Sequence, residues 1–125
     1  MASGNMNDSG YKRSGKIILH CIEGDIKFET DEIILIETGN HRCIIHLSDK
    51  EYHIYESLAN MEIILRVYGF LRIHQSYLVN MLYVRSINSY ILTFDNGDQL
   101  PVSKARYKEI KGEYLKYSGK KGTVS

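Results

Sequence analysis

The chain is 125 residues long, with 43% hydrophobic and 25% charged residues and a formal net charge of +1. This length supports a single domain that closes its own core, and the composition is ordinary for a soluble globular protein. A net charge so close to zero does not by itself indicate a nucleic-acid binder. No apolar run approaches the roughly 20 residues that span a bilayer, so we expect no membrane contact by this domain.

The two cysteines, Cys21 and Cys43, are too few for a disulfide framework and lack the CxxC spacing of zinc sites. Both lie among apolar residues, which predicts buried free thiols and fits a reducing cytoplasm. We expect no cofactor and no metal. Residues 1–15 are expected to form a disordered linker or a cloning remnant, because this stretch is polar and rich in Gly, Ser and Asn. The domain is expected to span residues 16–117, with a flexible tail at residues 118–125.

The charges are divided unevenly along the chain. Residues 23–56 contain nine acidic residues, against which stand only the basic residues Lys27, Arg42 and Lys50. Residues 66–121 contain ten basic and four acidic residues. A basic C-terminal half is a candidate electrostatic footprint for nucleic acid, and a solvated helix face would give the same pattern.

The first part of the chain is predicted to form short strands. Residues 16–22 are rich in β-branched residues, residues 26–29 follow a turn, and residues 32–38 are a further apolar run. All three segments are short and bounded by turn residues, which suits strands better than helices. Gly24-Asp25 is predicted to turn the chain between the first two runs. Gly39-Asn40 is a loop signal after the third run.

Residues 41–56 contain the clearest hairpin pattern, with a turn predicted at Asp49-Lys50. The alternation predicts a register that places three residues opposite partners, Tyr52 to Leu47, Ile54 to Ile45 and Glu56 to Cys43. The same register pairs His46 directly with His53. Two histidines without a third ligand are weak grounds for a metal site.

A helix is predicted after Ser57, because serine favours the N-cap position. Apolar residues then recur at helical spacing as far as Gly69, which is expected to end the helix. Residues 70–80 are unusual for a strand, because polar residues are interspersed among apolar anchors. This segment is predicted to form a loop or a single helical turn that projects its polar groups outward. Asn80 is expected to be structural, as a turn or cap residue.

Two further turns are predicted near the end of the chain. A hairpin over residues 84–94 should turn near Asn88-Ser89, and Asn96-Gly97 has the strongest short-range hairpin signature in the chain. Ser103 is predicted to cap a C-terminal helix that reaches about Tyr117.

Three segments together resemble the LytTR family of DNA-binding domains: "TGNHRCIIHL", "FLRIHQSYLVN" and "FDNGDQLPVSKARYKEI". The likeness covers roughly residues 16–117. It implies an all-β fold, an elongated β-β-β sandwich of about ten strands in three small sheets, with one short helix between strands and a C-terminal helix. Family members are cytoplasmic output domains of transcription regulators, usually preceded by a receiver domain. They bind double-stranded DNA at promoter-upstream direct repeats, insert loops into its grooves and bend it, and a dimer on DNA is expected.

The resemblance also assigns individual residues. His41 matches a histidine in the loop that enters one major groove, and Lys104 matches a basic position, often arginine, in the loop that enters the next. Gln75 stands where some members have asparagine, near the minor groove between them. The other expected DNA contacts, mainly to phosphates, are Arg42, Arg72, His74, Ser76 and Arg106. Lysine at 104 and the longer side chain at 75 leave the base preference open.

Two alternatives come from other classes of protein. His41, His74 and Lys104, if they converge, could cleave RNA without a metal by general acid–base chemistry. No Gly-rich phosphate loop, nucleophile elbow or paired-carboxylate motif supports another enzyme, so we expect the domain not to be an enzyme. A domain used only for protein association would have no use for the polar residues clustered between the anchors of residues 70–80.

Overall fold

The computed structural model describes residues 10–122, which form ten strands and two α-helices. The elements follow in the order β1 Lys16–Cys21, β2 Gly24–Glu29, β3 Leu35–Thr38, β4 Cys43–His46, β5 Glu51–Ile54, α1 Leu58–Leu65, β6 Phe70–His74, β7 Tyr77–Asn80, β8 Val84–Asn88, β9 Ile91–Phe94, β10 Gln99–Pro101 and α2 Lys104–Gly122. The expected all-β class with two helices is confirmed.

The strands form two antiparallel sheets rather than the expected three. A seven-stranded sheet has the order β2-β1-β5-β4-β3-β7-β6, and a three-stranded sheet has the order β10-β9-β8. The pair Cys21–Ile54 joins β1 to β5, and β7 pairs with β3 along residues 77–79. These strand pairings connect the β1–β2 and β6–β7 hairpins to the central strands, so the first seven strands share one hydrogen-bonded sheet.

Helix α1 packs on one face of the large sheet. The Ser57 hydroxyl accepts a hydrogen bond from the backbone N–H of Asn60 at 3.0 Å, which confirms the predicted N-cap. Gly69 ends the turn after α1 with a φ of 88°, a left-handed conformation that costs glycine little. The core under α1 includes Phe28, Ile36, Ile45, Ile54, Met61, Leu65, Phe70 and Leu78.

The β6–β7 hairpin lies between two cores. Phe70 belongs to the core under α1, whereas its neighbour Leu71 belongs to a second core. The prediction of a loop or helical turn over residues 70–80 is therefore wrong. A strand buried on both faces loses the alternation of apolar and polar residues that identifies half-buried strands, and a bulge between Arg72 and His74 breaks the pattern further. The second core also includes Ile73, Val79, Val84, Leu92, Phe94, Val102 and Ile110.

The β4–β5 hairpin turns one residue earlier than predicted. The backbone N–H of Leu47 donates to the Lys50 carbonyl at 2.8 Å, which closes a two-residue turn between them. His46 consequently faces Glu51 rather than His53. The predicted register is wrong, because moving a turn by one residue shifts every cross-strand partner by two positions.

Two boundaries in the first part of the chain also differ from the sequence pattern. Cys21 pairs with Gly24, so the first turn consists of Ile22 and Glu23 rather than Gly24-Asp25. Residues 30–32 form a short 3₁₀ turn, which delays the start of β3 to Leu35.

The turns of the second half lie close to their predicted places. Ser89 and Tyr90 both have positive φ, 54° and 66°, and form the turn between β8 and β9. At the predicted Asn96-Gly97 turn the N–H of Phe94 donates to the Asp98 carbonyl at 2.8 Å. Asn80 is only 2% exposed. Its side chain donates to the Ile33 carbonyl at 2.9 Å and accepts from Leu82 N–H at 3.0 Å, which confirms its structural role.

Helix α2 continues to Gly122, so residues 118–122, expected in the tail, are helical. Part of the expected linker contacts the domain, since Lys12 N–H donates to the Val67 carbonyl at 2.7 Å. Residues 1–9 and 123–125 lie outside the described residues, and so do the predictions of a linker and a tail that were made for them. No helix within residues 10–122 is long and apolar enough to cross a membrane.

Candidate nucleic-acid interface

The loops that carry the candidate residues lie at the same edge of the large sheet, the one formed by the ends of its strands. Thr38 at the end of β3 pairs with Cys43 at the start of β4, so residues 39–42 form the loop at that edge. Glu37 in β3 pairs with Tyr77 at the start of β7, which brings residues 75–76 to the same edge. The loop and the turn are about two strand spacings apart, or roughly 10 Å.

Backbone hydrogen bonds hold these connections side by side. The N–H of Thr38 donates to the Ser76 carbonyl at 3.1 Å. Ser76 lies in the β6–β7 hairpin, and on the other side of that hairpin the N–H of Ser103 donates to the Ile73 carbonyl at 2.9 Å. Residues 39–42, 75–76 and 103–104 therefore follow one another in a row, which we call the loop edge.

The β3–β4 loop exposes its basic residues. The N–H of Gly39 donates to the Arg42 carbonyl at 2.6 Å, which draws the loop closed. A Cβ atom at position 39 would lie 2.6 Å from the same carbonyl oxygen, so this close approach requires glycine. His41 and Arg42 are exposed, and the Arg42 guanidinium carbon lies 4.8 Å from the centre of the Tyr55 ring.

The β6–β7 turn uses its basic residues internally. Arg72 donates to the Gln75 carbonyl at 2.7 Å and lies 3.4 Å from a Glu62 carboxylate oxygen on α1. Only 17% of its side chain is exposed. The Nδ1 atom of His74 accepts the backbone N–H of Ser76 at 3.1 Å. Gln75 is the exposed residue of this turn.

The start of α2 completes the loop edge. Lys104 is the first helical residue and is exposed, with its Nζ 5.9 Å from the centre of the Tyr90 ring. Tyr90 is held beside this segment, because its carbonyl accepts the N–H of Val102 at 2.9 Å. Arg106, one turn or less into the helix, is half-buried.

Two carboxylates of the β1–β2 hairpin contact histidine side chains. His53 donates its backbone N–H to Glu23 at 3.2 Å, and its Nδ1 lies 3.1 Å from the other carboxylate oxygen. The side-chain hydrogen bond with His53 is the main cause that lowers the pKa of Glu23 below its usual value. His20 contacts Asp25 in the same way at 2.7 Å. The lowered pKa favours the ionised, negatively charged form of Glu23.

The family follows from comparison with known proteins. Residues 23–114 match the model of the LytTr DNA-binding domain. The chain belongs to the LytTr DNA-binding domain family. The sensory transduction protein LytT of Bacillus subtilis (strain 168) is 29% identical over 101 residues, which cover 77% of this chain and 42% of LytT. The chain thus spans less than half the length of that relative.

The fold of this LytTr domain also has a counterpart among solved structures. A LytTr DNA-binding domain from Bacillus cereus matches with a TM-score of 0.66 and 23% sequence identity. The match covers 83% of this chain and 98% of that one. This similarity confirms the LytTR fold expected from the sequence.

The other site chemistries considered from the sequence find no support in the geometry. Within residues 10–122 no group of three or more His, Cys, Asp or Glu side chains could hold a metal ion. His46 contacts Glu37 at 2.6 Å instead of facing His53. Cys21 and Cys43 are buried free thiols, as predicted, and burial raises the pKa of both.

The three residues of the ribonuclease hypothesis lie on separate elements of the LytTr domain. His41 is in the β3–β4 loop, His74 is at the end of β6 and Lys104 begins α2. In the described part of the chain no hydrogen bond joins any two of them, and the Nδ1 atom of His74 already accepts a backbone N–H. The sequence pattern did not single out Tyr55 and Tyr90. Only their places in the chain could have drawn attention to them, because Tyr55 directly follows β5 and Tyr90 lies in the turn between β8 and β9.

Proposed function

We propose that this LytTr domain binds double-stranded DNA in a sequence-specific manner, with the loop edge against the duplex, as the output domain of a bacterial transcription regulator. The observation that carries the proposal is the row of connections held by the Thr38–Ser76 and Ile73–Ser103 backbone hydrogen bonds. This row presents exposed His41, Gln75 and Lys104 in that order. Loops spaced along one edge can enter successive grooves without a recognition helix.

The order of the three residues supports their roles. His41 and Lys104 lie toward the two ends of the loop edge and carry N–H donors, which suit the N7 and O6 acceptors of guanine in two major grooves. Gln75 lies between them, where the intervening minor groove would run. Its amide can donate to the adenine N3 and thymine O2 acceptors that the minor groove presents.

The remaining basic residues divide by their contacts. Arg42 and Arg106 would hold phosphates and set the register of the domain on the duplex. Arg72 would instead hold the β6–β7 turn, because its two terminal amino groups contact Glu62 and Gln75, its Nε is buried, and little of the side chain is exposed. His74 and Ser76 would shape the same turn, so that Gln75 points outward.

Selection from a random-sequence duplex pool tests the proposal. The purified domain is expected to enrich one sequence motif and to prefer two direct copies of it whose centres are separated by a whole number of helical turns, of about 10–10.5 base pairs each. Moving one copy by half a turn should abolish the preference, because the second domain would face the opposite side of the duplex. Retention of all sequences in equal proportion, or no retention at low salt, would show that the domain is not a sequence-specific reader.

The partners of the full-length protein form a further part of the proposal. The LytT relative is named for sensory transduction, and this chain covers only 42% of it. We therefore propose that the domain acts with an N-terminal receiver domain in the cytoplasm and pairs into a dimer on DNA. The gene sequence upstream of this segment and the mass of the protein–DNA complex check these two points.

The absence of catalysis is tested separately. Labelled RNA and DNA, incubated with the domain in the presence and absence of EDTA, should stay intact. Cleavage that disappears in His74→Ala would favour the metal-independent ribonuclease over the DNA reader.

A further inference from the structure

Two exposed tyrosines lie near the two ends of the loop edge, each beside a cation that the proposed function assigns to DNA. The Arg42 guanidinium carbon lies 4.8 Å from the centre of the Tyr55 ring. Lys104 Nζ lies 5.9 Å from the centre of the Tyr90 ring. Both distances are within the roughly 6 Å over which an aromatic ring face attracts a cation.

Each tyrosine ring also packs against a second ring. Tyr55 stacks with His20, with ring centres 4.9 Å apart and planes 30° apart. Tyr90 packs against Tyr107, with ring centres 4.4 Å apart and planes 43° apart. The same arrangement of a cation, a tyrosine and a supporting ring therefore occurs at both ends of the edge. The supporting rings limit where each tyrosine can move.

Core packing does not account for the two tyrosines, because Tyr55 is 52% exposed and Tyr90 is 44% exposed. The backbone conformation at Tyr90 supports the same conclusion. Its φ of 66° is one that bulky residues rarely adopt, and glycine or asparagine would suit this two-residue turn better. A large ring is thus kept at a position where the backbone disfavours it.

We propose that Tyr55 and Tyr90 are positioning residues that hold Arg42 and Lys104 ready for the duplex, an inference that rests on the proposed function. A guanidinium stacked on a ring keeps its in-plane N–H donors free for phosphate oxygens. An ammonium group above a ring keeps donors on its outer side. A side chain that is ordered before binding loses less conformational entropy when it meets DNA.

The test uses the duplex enriched in the selection above and a double-mutant cycle for each pair. Tyr90→Gly removes the ring while accepting the positive φ, and Tyr90→Phe keeps the ring without the hydroxyl. Tyr90→Gly should weaken binding about 2- to 5-fold, and Tyr90→Phe should stay within about twofold of wild type. In the Tyr90→Gly background, the loss of DNA affinity caused by Lys104→Ala should be smaller by the same 2- to 5-fold factor.

The second pair is tested with Tyr55→Ala, Tyr55→Phe and Arg42→Ala, for which the same pattern is expected. The crossed combinations, Tyr90→Gly with Arg42→Ala and Tyr55→Ala with Lys104→Ala, are the matched controls, and their effects should simply multiply. In the free protein, ring currents should shift the NMR signals of the Lys104 Hε and Arg42 Hδ protons upfield. The shift should disappear when the adjacent ring is removed.

The outcomes separate the two claims. If Lys104→Ala and Arg42→Ala leave binding unchanged, the proposed DNA contacts are wrong and the inference falls with them. If these variants weaken binding but the matched pairs multiply like the crossed pairs, the contacts stand and the positioning role is overturned. Phenylalanine variants that bind as poorly as the ring-free variants would also overturn it.

Discussion

Two neighbouring connections of the LytTr domain use the same residue types in different ways. The β3–β4 loop leaves His41 and Arg42 exposed beyond the ends of its strands. In the β6–β7 hairpin, Arg72 and His74 form hydrogen bonds to the turn that follows them. One connection thus leaves its basic side chains exposed, and the other uses them to hold its own shape.

The difference follows from where each residue lies relative to the sheet. Arg72 is within β6, on a hairpin packed between two cores, so its charge must find partners inside the protein. Arg42 lies in a loop past the last strand pair, where water or a ligand can reach it. A basic residue near DNA-binding motifs is therefore a contact candidate only when the fold leaves its donors free.

The largest expected effects concern base recognition at the two ends of the loop edge. His41→Ala and Lys104→Ala should each cost roughly 1–3 kcal/mol of binding free energy on the enriched duplex and much less on a shuffled duplex. The double variant should be additive within about 0.5 kcal/mol, because the two loops are separate. Titrations on both duplexes measure this. Equal losses on the two duplexes would mean that neither residue reads bases.

Arg72→Ala should lower the free energy of unfolding by about 2 kcal/mol, since it removes charge-assisted hydrogen bonds from a half-buried site. Arg42→Ala should change that free energy by no more than about 0.5 kcal/mol. Urea denaturation of the two variants measures both values. If Arg42→Ala proved the more destabilising, the contrast between the two connections would be reversed.

Gly39→Ala should cost about 1 kcal/mol of stability, because the new Cβ would lie 2.6 Å from the Arg42 carbonyl oxygen and the loop must open. It should also weaken DNA binding by displacing His41. Gly112→Ala on α2 is the matched control, since nothing beyond its own stretch of helix lies within 4 Å of its Cβ position, and it should stabilise the domain slightly. A Gly39→Ala variant as stable and as tight-binding as wild type would show that the closed loop is not needed.

The salt dependence of binding sharpens the contrast between the two arginines. Arg42→Ala should flatten the slope of log K against log salt by about 0.9, the value expected for one lost phosphate contact. Arg72→Ala should leave the slope unchanged, because the Arg72 side chain is largely buried and its two terminal amino groups contact Glu62 and Gln75. Titrations on the shuffled duplex at several salt concentrations give both slopes. A flatter slope for Arg72→Ala would place that residue on phosphate after all.

The smallest expected effect concerns Glu23, whose folded-state pKa is lowered by its hydrogen bond with His53. A carboxyl with a lowered pKa stabilises the folded state above its unfolded pKa of about 4.3, and this contribution disappears as pH falls through the folded value. Melting temperatures measured from pH 6 down to pH 3 should therefore fall slightly less in Glu23→Gln than in wild type. Identical pH profiles would show that the pair contributes nothing to stability.

The sequence by itself determined the family, the all-β class, the Ser57 helix cap and the Asn96-Gly97 turn. These features depend on a residue and its near neighbours, as with the Ser57 hydroxyl that caps a helix three residues away. The buried cysteines and the structural role of Asn80 were also readable, because apolar surroundings and turn chemistry are local properties.

Only the tertiary structure decided the β4–β5 register, the β6–β7 hairpin, the separate uses of Arg42 and Arg72, and the two tyrosine stacks. Most of these depend on groups far apart in the chain, such as the Ile73 carbonyl that holds Ser103 beside β6. A strand buried on both faces has no periodic signature, and whether an arginine is free or engaged depends on which elements pack against it. Long-range pairing brings these groups together, and no local pattern records it.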